Sequence, residues 1–287
     1  MDYDENFIMS PKVDFAFKEI MRNNKVCKGF LSAVLGIKDT NIKSIVMLNT
    51  NLSKVHEDEK QGILDVRLTM NNNTEIDIEI QVWYMKQWAN RSVFYVSKMI
   101  SEQPDINKKY SNMKKCINIS ILNFTYIKQT DRFYTSYHIR EDKEHFKYTD
   151  IAEWHVVELP KLPEVPDGTA IYDWAKFINS EDRGEFEMLA KKNEYIAEAY
   201  KQLDIISQDQ QKRLEYMARQ KALYDYNELV YENYNDGYEK GKNEGVYEEK
   251  VRTAEKMLKR GVMTIDEISE DTGLSVAEIE NIKANIT

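Results

Sequence analysis

Carboxylates recur at every second position in one stretch of this chain. Between residues 74 and 82 the polar row is Glu75, Asp77, Glu79 and Gln81, and it alternates with isoleucine and valine. This alternation predicts a β-strand with one apolar and one acidic face. Aligned carboxylates repel one another, so a hard divalent cation such as Mg²⁺ would stabilise an acidic face of this kind.

A second strand precedes this one across an Asn-rich turn, within residues 62–73. Its apolar residues share one face: Leu64, Val66 and Leu68. Asp65 therefore lies on the polar face, and matching the apolar faces brings it opposite or diagonal to Glu79 or Gln81, with Cβ atoms roughly 5–8 Å apart. Two interpretations stay open at this point. The face is either a shared cation site or the solvent-facing side of an antiparallel sheet.

Composition limits the class of protein. With 42% hydrophobic and 31% charged residues, the chain is typical of a globular protein. A net charge of −9 argues against a general electrostatic grip on nucleic acid, so such a role needs a local basic patch and a metal. No apolar run approaches a membrane span, and the start lacks a signal-peptide pattern. We therefore expect no membrane partner and a cytoplasmic location.

Cysteine and histidine give no zinc signature. Cys27 and Cys116 stand in apolar contexts without CxxC spacing, so we expect reduced core residues. The four histidines show neither HxxxH nor HxH spacing. Zinc is not expected.

The N-terminal part predicts a mixed α/β (α+β) domain. Its first helix would have Ser10 as N-cap and Pro11 at the first helical position. A helix at 25–35 would end at Gly36. The other elements expected around the 62–82 hairpin are a strand at 41–49, a charged loop at 55–61, a helix at 85–102 ended by Pro104, and strands at 114–124, 132–140 and 154–159.

The C-terminal part is predicted to be helical, with two or three helices at 171–234 and an amphipathic helix at 248–260. Between them stand Gly237, Gly241 and Gly245, which indicate either a flexible connector or a helix-pairing seam. Residues 264–283 resemble a helix-turn-helix unit with Ser275 as an N-cap. Its acidic charge makes it a poor DNA reader unless the basic residues at 256, 259 and 260 contact phosphates. The chain is predicted to divide into a first domain at 1–165, a helical, charged connector at 166–246 and a helical tail at 247–287. Prolines and a glycine within 159–168 mark the first boundary.

Several short motifs occur together in a telling order and spacing. They are Val13–Lys18, Gly29-Phe30-Leu31, Ile63-Leu64-Asp65-Val66, Ile78-Glu79-Ile80-Gln81, Arg91 with Tyr95, Val157–Lys161 and a tail that reaches Thr272-Gly273-Leu274. In this order they resemble the Rpn family of recombination-promoting nucleases, also described as transposases, in the PD-(D/E)XK nuclease superfamily. The resemblance covers residues from about 10 to 161 and, weakly, the tail.

The resemblance implies a restriction-endonuclease-like αβββαβ core with extra strands. By carry-over, Asp65 and Glu79 bind Mg²⁺, the carbonyl of Ile80 is a third ligand, and Gln81 takes the place of the catalytic lysine. Asp14 resembles the auxiliary acid that some members place near the metal, although a first-turn acid also favours the helix dipole.

Metal-dependent hydrolysis of DNA, associated with recombination or transposition, is the leading functional hypothesis. Lys18, Arg91 and Lys98 are expected to contact the DNA backbone, while Glu79 and Gln81 orient the attacking water. The alternative is a catalytically weak or inactive nuclease-fold protein that binds DNA or a partner, because Gln81 carries no charge and cannot lose a proton. A third expectation is that the C-terminal helices assemble a homo-oligomer.

Overall fold

The computed structural model describes residues 7–52, 63–103 and 109–286. The charged loop predicted at 55–61 and the helix end predicted at Pro104 lie outside these residues. The fold divides into two compact units, Met1–Gln220 and Lys221–Thr287. The boundaries at residues 165 and 246 stay predictions.

The described strands form one six-stranded sheet in the order β1-β2-β3-β4-β6-β5. They are β1 (Ile45–Met47), β2 (Val66–Met70), β3 (Thr74–Gln81), β4 (Lys115–Leu122), β5 (Tyr134–His138) and β6 (Ala152–Glu158). β1, β2 and β3 pair antiparallel, β3, β4 and β6 run parallel, and β5 is antiparallel to β6.

Helices cover the sheet and form the C-terminal part of the described chain. They are α1 (Asp14–Met21), α2 (Asn24–Leu35), α3 (Trp88–Ser101), α4 (Ala170–Asn179), α5 (Arg183–Lys192), α6 (Glu194–Gln208), α7 (Gln210–Arg260), α8 (Ile265–Thr272) and α9 (Val276–Ile286). The order helix, three strands, helix, strand confirms the predicted αβββαβ core with its extra strands.

Both faces of the sheet are buried. The apolar face, with residues such as Ile76, Ile78 and Ile119, joins α1, α2 and α4 to α6 in one core. The acidic face lies under α3, where Glu75 and Glu79 are 6% and 7% exposed. The expectation of a solvent-facing polar side is therefore wrong, because α3 covers it.

Close packing joins α2 to α6. A Cβ atom added at Gly29 would collide with the side chain of Tyr195, so only glycine allows the two helices this approach. The N-terminal segment is also anchored to this layer, since the Met9 amide donates to Ser207 Oγ at 2.9 Å and the Ser10 amide to the Tyr216 hydroxyl at 3.1 Å.

Two predicted boundaries in the N-terminal part are wrong. α1 begins at Asp14 with Val13 as its N-cap, because Ser10 and Pro11 belong to a preceding turn closed by a bond from the Val13 amide to the Ser10 carbonyl. The strand predicted at 41–49 shortens to 45–47, because Asn71 binds the amides of residues 43 and 44 through its side-chain oxygen.

The C-terminal helices differ from prediction in their number and length. Residues 171–234 fall in three complete helices and the start of α7, and α7 passes through Gly237, Gly241 and Gly245 into the segment predicted as a separate helix. The flexible connector is therefore wrong. No described heavy atom would lie within 4 Å of a Cβ atom at these three glycines, apart from the neighbouring helix turns. Whether the glycines form a pairing seam stays a prediction.

The terminal unit has the local signals expected of short helices. Thr264 and Glu267 form a capping box at the start of α8, and Gly273 ends that helix in the left-handed conformation. Ser275 and Glu278 make the corresponding contacts before α9. Ala254, Ile268, Leu274 and Ile279 form a small core. Of the helices described, none is both long and apolar enough to span a membrane.

Candidate active site

Asp65 and Glu79 lie side by side where β2 begins and β3 nears its end. Arg67 pairs with Asp77 in the antiparallel register, so two residues further along Asp65 faces Glu79. The Asp65 amide donates to Glu79 Oε1 at 2.8 Å, and the Ile80 amide donates to Asp65 Oδ2 at 3.0 Å. Each acid thus fixes the backbone of the other strand.

Lys18 brings the first helix into this cluster. Its Nζ atom lies 2.7 Å from Asp65 Oδ1 and 3.4 Å from Asp14 Oδ2. Burial lowers the pKa of Lys18, but the charges of and hydrogen bonds to Asp65 and Asp14 outweigh it and raise that pKa. Arg219 also contacts Asp14 Oδ2, at 3.2 Å. Asp14 therefore reaches Asp65 through a shared ammonium group.

Arg91 supplies a second cation from α3. One terminal nitrogen lies 3.2 Å from Glu79 Oε2, and the other donates to Gln81 Oε1 at 3.4 Å. The Arg91 Nε atom donates to the Tyr95 hydroxyl at 2.8 Å, which orients the guanidinium. Gln81 Nε2 in turn donates to the Trp83 carbonyl at 3.1 Å. Gln81, predicted to take the place of the motif lysine, is thus a neutral amide in contact with a positive charge.

Ionisation is disfavoured in the carboxylate row of β3. Burial, together with the charges of Asp77 and Asp65, raises the pKa of Glu79 well above its ordinary value, although Arg91 opposes the shift. Burial also raises the pKa of Asp77 to about 7, against the hydrogen bond from Asn118. A group of carboxylates that resists ionisation in this way is one that added positive charge would stabilise.

Sequence reasoning missed a buried polar chain beside the pair. Asp77 is fully buried, Asn118 Nδ2 donates to its Oδ2 atom at 2.7 Å, and Ser120 Oγ donates to Asn118 Oδ1 at 2.9 Å. Asp77 was visible in the alternating row of β3. Asn118 and Ser120 were visible as polar residues at every second position of an otherwise apolar strand.

Lys98 lies two turns after Arg91 on α3, away from the contacts that join the other predicted residues. Its side chain is buried, and its ammonium lies 6.0 Å from the centre of the Phe94 ring. Burial leaves little of Lys98 to contact a phosphate. Contact of Lys98 with the DNA backbone stays a prediction, and the buried position of the side chain disfavours it.

The donor set suits a hard divalent cation. Asp65 and Glu79 offer carboxylate oxygens, and the Ile80 carbonyl points to the same edge of β3 as its amide, which binds Asp65. Within the described residues, no group of three or more His, Cys, Asp or Glu side chains forms a metal cluster. The donors that could hold such a cation are two carboxylates and one carbonyl, and water would complete its coordination.

Comparison with known proteins gives one family. Curated proteins and solved structures yield no match. A family model described as PD-(D/E)XK nuclease family transposase matches residues 11–233, which include the whole sheet, α1 to α6 and the carboxylate pair. The match spans most of the chain and confirms the resemblance seen in the sequence motifs, so this chain belongs to the PD-(D/E)XK nuclease family transposases.

Proposed function

We propose that this protein is a metal-dependent DNA endonuclease that hydrolyses phosphodiester bonds during recombination or transposition. The observation that carries the proposal is the convergence of Asp65 and Glu79, two carboxylates in direct contact with each other's strands, with Lys18 and Arg91 beside them. Membership of a nuclease family supports DNA as the substrate.

In this proposal Asp65, Glu79 and the Ile80 carbonyl hold a divalent cation, with Mg²⁺ as the expected ion. Such an ion polarises a scissile phosphate and lowers the pKa of a bound water. Glu79 and Gln81 orient the attacking water by accepting and donating hydrogen bonds. Asp14 holds Lys18 close to Asp65, so that the lysine can move from the carboxylate to a phosphate oxygen.

Arg91 provides the charge that Gln81 lacks. Its guanidinium contacts both Glu79 and Gln81, and Tyr95 fixes its orientation. A preorganised cation in a site sheltered from water stabilises the charge that develops on a phosphate during attack. Arg91 and Lys18 together therefore offer two positive groups where the superfamily motif has one lysine.

A plasmid-nicking assay tests the activity. The wild type should nick supercoiled plasmid in the presence of Mg²⁺. Asp65→Asn and Glu79→Gln should each lower the nicking rate at least about a hundredfold, because each replaces a charged metal ligand by a neutral amide of the same shape. Asp150→Asn serves as the control, because this exposed aspartate lies on a loop, where it pairs with Lys147. Equal nicking by the wild type and both site variants contradicts the proposal.

The second candidate is a nuclease-fold protein that binds DNA or a partner without cleaving it. Gln81 favours this function, because an amide can neither carry charge nor exchange a proton. Calorimetric titration with Mg²⁺ and Mn²⁺ separates the two candidates. Binding that Asp65→Asn removes supports the endonuclease, and the absence of binding to the wild type supports the binding module.

Location and assembly are also proposed. We place the protein in the cytoplasm, where its DNA substrate would be found, and we propose a homo-oligomer formed through the C-terminal helices. The exposed tyrosines of α7, among them Tyr224, Tyr231 and Tyr238, support self-association, since they recur at seven-residue intervals along the helix.

A further inference from the structure

Aromatic side chains gather next to the carboxylate pair, where β3 and β4 end. Tyr84 follows Gln81 by three residues, and its ring centre lies 5.4 Å from that of Phe124. Tyr126 packs edge-on against Trp88 at 5.2 Å. Tyr84 remains 63% exposed, so its ring offers a surface to a ligand. In an α/β sheet, ligands bind at the carboxyl ends of parallel strands, which is where this cluster lies.

A polar cavity of about 680 Å³ opens beside these rings. Lys86 and Arg132 lie in its lining with Tyr84, Tyr126 and Tyr137, and no acidic residue lines it. Across the described chain, neither Lys86 nor Arg132 has a carboxylate within ion-pair distance. On a protein with a net charge of −9, this cavity is a local basic surface that attracts an anion.

A smaller apolar cavity of about 310 Å³ adjoins the first, and Tyr126 and Tyr137 line both. Trp88 and Trp154 complete its aromatic wall. Trp154 Nε1 is a buried donor that has no hydrogen-bond partner among the residues described, and the hydroxyl of Thr135 in the polar cavity is likewise unpartnered. Both atoms are covered by protein, so the aromatic rings, and not these two groups, form the surface that a ligand contacts.

We propose that these two cavities, here called the aromatic cleft, bind an unpaired nucleotide of the DNA substrate. The base stacks on the tyrosine and tryptophan rings, and the flanking phosphates contact Lys86 and Arg132. Only an unpaired base exposes its face, because a base in a duplex is covered by its neighbours. This inference rests on the proposed function and deepens it: the substrate class is DNA with a single-stranded segment next to the cleaved bond.

Along the chain, the aromatic cleft begins at Tyr84, three residues after Gln81. Gln81 contacts Arg91 on one side and the Trp83 carbonyl on the other, and Tyr84 is the next residue. The Lys86 carbonyl accepts a hydrogen bond from the Tyr126 hydroxyl at 3.4 Å, which joins the two walls of the cleft. A strand held in the cleft would therefore run past Gln81 toward Asp65 and Glu79.

Fluorescence anisotropy in EDTA tests the binding without cleavage. The full-length protein is titrated against a fluorescein-labelled oligothymidylate and against a blunt duplex of equal length. The oligothymidylate should bind more tightly than the duplex. Tyr84→Ala and Arg132→Gln should each weaken its binding about tenfold, as expected for one stacking contact or one phosphate contact.

Matched controls separate this surface from general effects. Tyr110→Ala removes an exposed tyrosine before β4, at the opposite ends of the parallel strands, and Lys43→Gln removes an exposed lysine near β1. Both should bind like the wild type. Circular dichroism and thermal melting check the fold of each variant.

Two results overturn the inference: equal affinity of the wild type for the oligothymidylate and the duplex, or wild-type affinity in both Tyr84→Ala and Arg132→Gln. Asp65→Asn distinguishes this failure from failure of the proposed nuclease, because it should lose nicking but keep its binding of oligothymidylate in EDTA.

Discussion

At the scale of single residues, the proposed mechanism depends on Gln81. The proposal gives this amide the place of the lysine in the superfamily motif, and the structure surrounds it with charge from other elements. Arg91 of α3 lies within hydrogen-bond distance of Gln81 and Glu79, and Lys18 of α1 lies against Asp65. The charge missing from one position is thus present on two neighbouring helices.

Arg91→Ala should lower the rate of plasmid nicking about a hundredfold, because it removes a preorganised cation from the site. Gln81→Lys should not raise the rate, since the new ammonium would lie beside the Arg91 guanidinium and repel it. Single-turnover nicking at saturating Mg²⁺ measures both. Arg252→Ala is the matched control, as this arginine is exposed on α7 and pairs with Glu249. A faster Gln81→Lys enzyme would show that Gln81 limits catalysis.

The sequence allowed the carboxylate pair to be predicted, since strict alternation sets the face of every residue in β2 and β3. Asp65 and Glu79 follow from that periodicity and from the turn between the strands. The contacts of Lys18 and Arg91 could not be predicted in the same way. These contacts depend on how α1 and α3 pack against opposite faces of the sheet. The local spacing of residues in the sequence does not encode that packing.

At the scale of elements, charge joins three strands close to the aromatic cleft, since the paired residues His138 and Glu153 adjoin the pair Tyr137 and Trp154 that lines it. Glu153 of β6 lies 2.6 Å from Lys115 of β4 and 3.0 Å from His138 of β5. Burial alone would raise the pKa of Glu153, but the adjacent His155 and Lys115 side chains and the charges of Lys115 and His138 lower it to about 2. Lys147 also faces this carboxylate. One side chain thus ties three strands together.

Glu153→Gln should destabilise the fold by about 1–2 kcal/mol at pH 7, after allowance for screening by solvent. The folded pKa of about 2 lies below the ordinary value of 4.5, so the stabilisation is present above pH 4.5 and is lost as pH falls toward 2. Urea unfolding of the wild type and Glu153→Gln should show that the difference in their free energies of unfolding becomes smaller as the pH falls through this range. Glu187→Gln, on the exposed side of α5, should match the wild type throughout. A difference in free energy of unfolding that stays constant with pH would contradict the link between the pKa of Glu153 and stability.

Element boundaries were harder to predict than element types. Ser10 and Pro11 are residue types that often begin a helix, but a tertiary hydrogen bond from Ser10 to Tyr216 holds this segment outside α1. The glycines of α7 each lower helix propensity by about 1 kcal/mol, yet the helix continues because its flanking residues favour it. In both cases, the surrounding chain outweighs a local preference.

At the scale of the whole molecule, the core of the first unit extends well past the sheet. Trp174 and Phe186 are buried with Phe30 and the apolar residues of β3 in a single cluster. The Phe30 and Trp174 rings pack edge to face with centres 5.6 Å apart. Helices α4 to α6 therefore supply one wall of the core on which α1 and the carboxylate pair depend.

Truncation tests this dependence and the boundary predicted at residue 165. A chain that ends at residue 220 should unfold cooperatively, whereas one that ends at residue 165 should expose apolar surface, bind a hydrophobic dye and aggregate. Light scattering of the same proteins tests assembly. Full-length protein should be larger than a monomer and the 220-residue chain monomeric. A stable, folded 165-residue chain would contradict the role given to α4 to α6.

The bonds from Met9 to Ser207 and from Ser10 to Tyr216 also bear on when the N-terminal segment reaches its native position during synthesis. These partners are 198 and 206 positions apart in the chain. A ribosome makes the protein from its N-terminus, so Lys18 and Asp65 emerge long before the helices that complete their surroundings. The nascent chain therefore cannot form these two contacts until α6 and the first turns of α7 have left the exit tunnel. Long-range closure of this kind leaves the N-terminal segment without its native partners until most of the chain has been made.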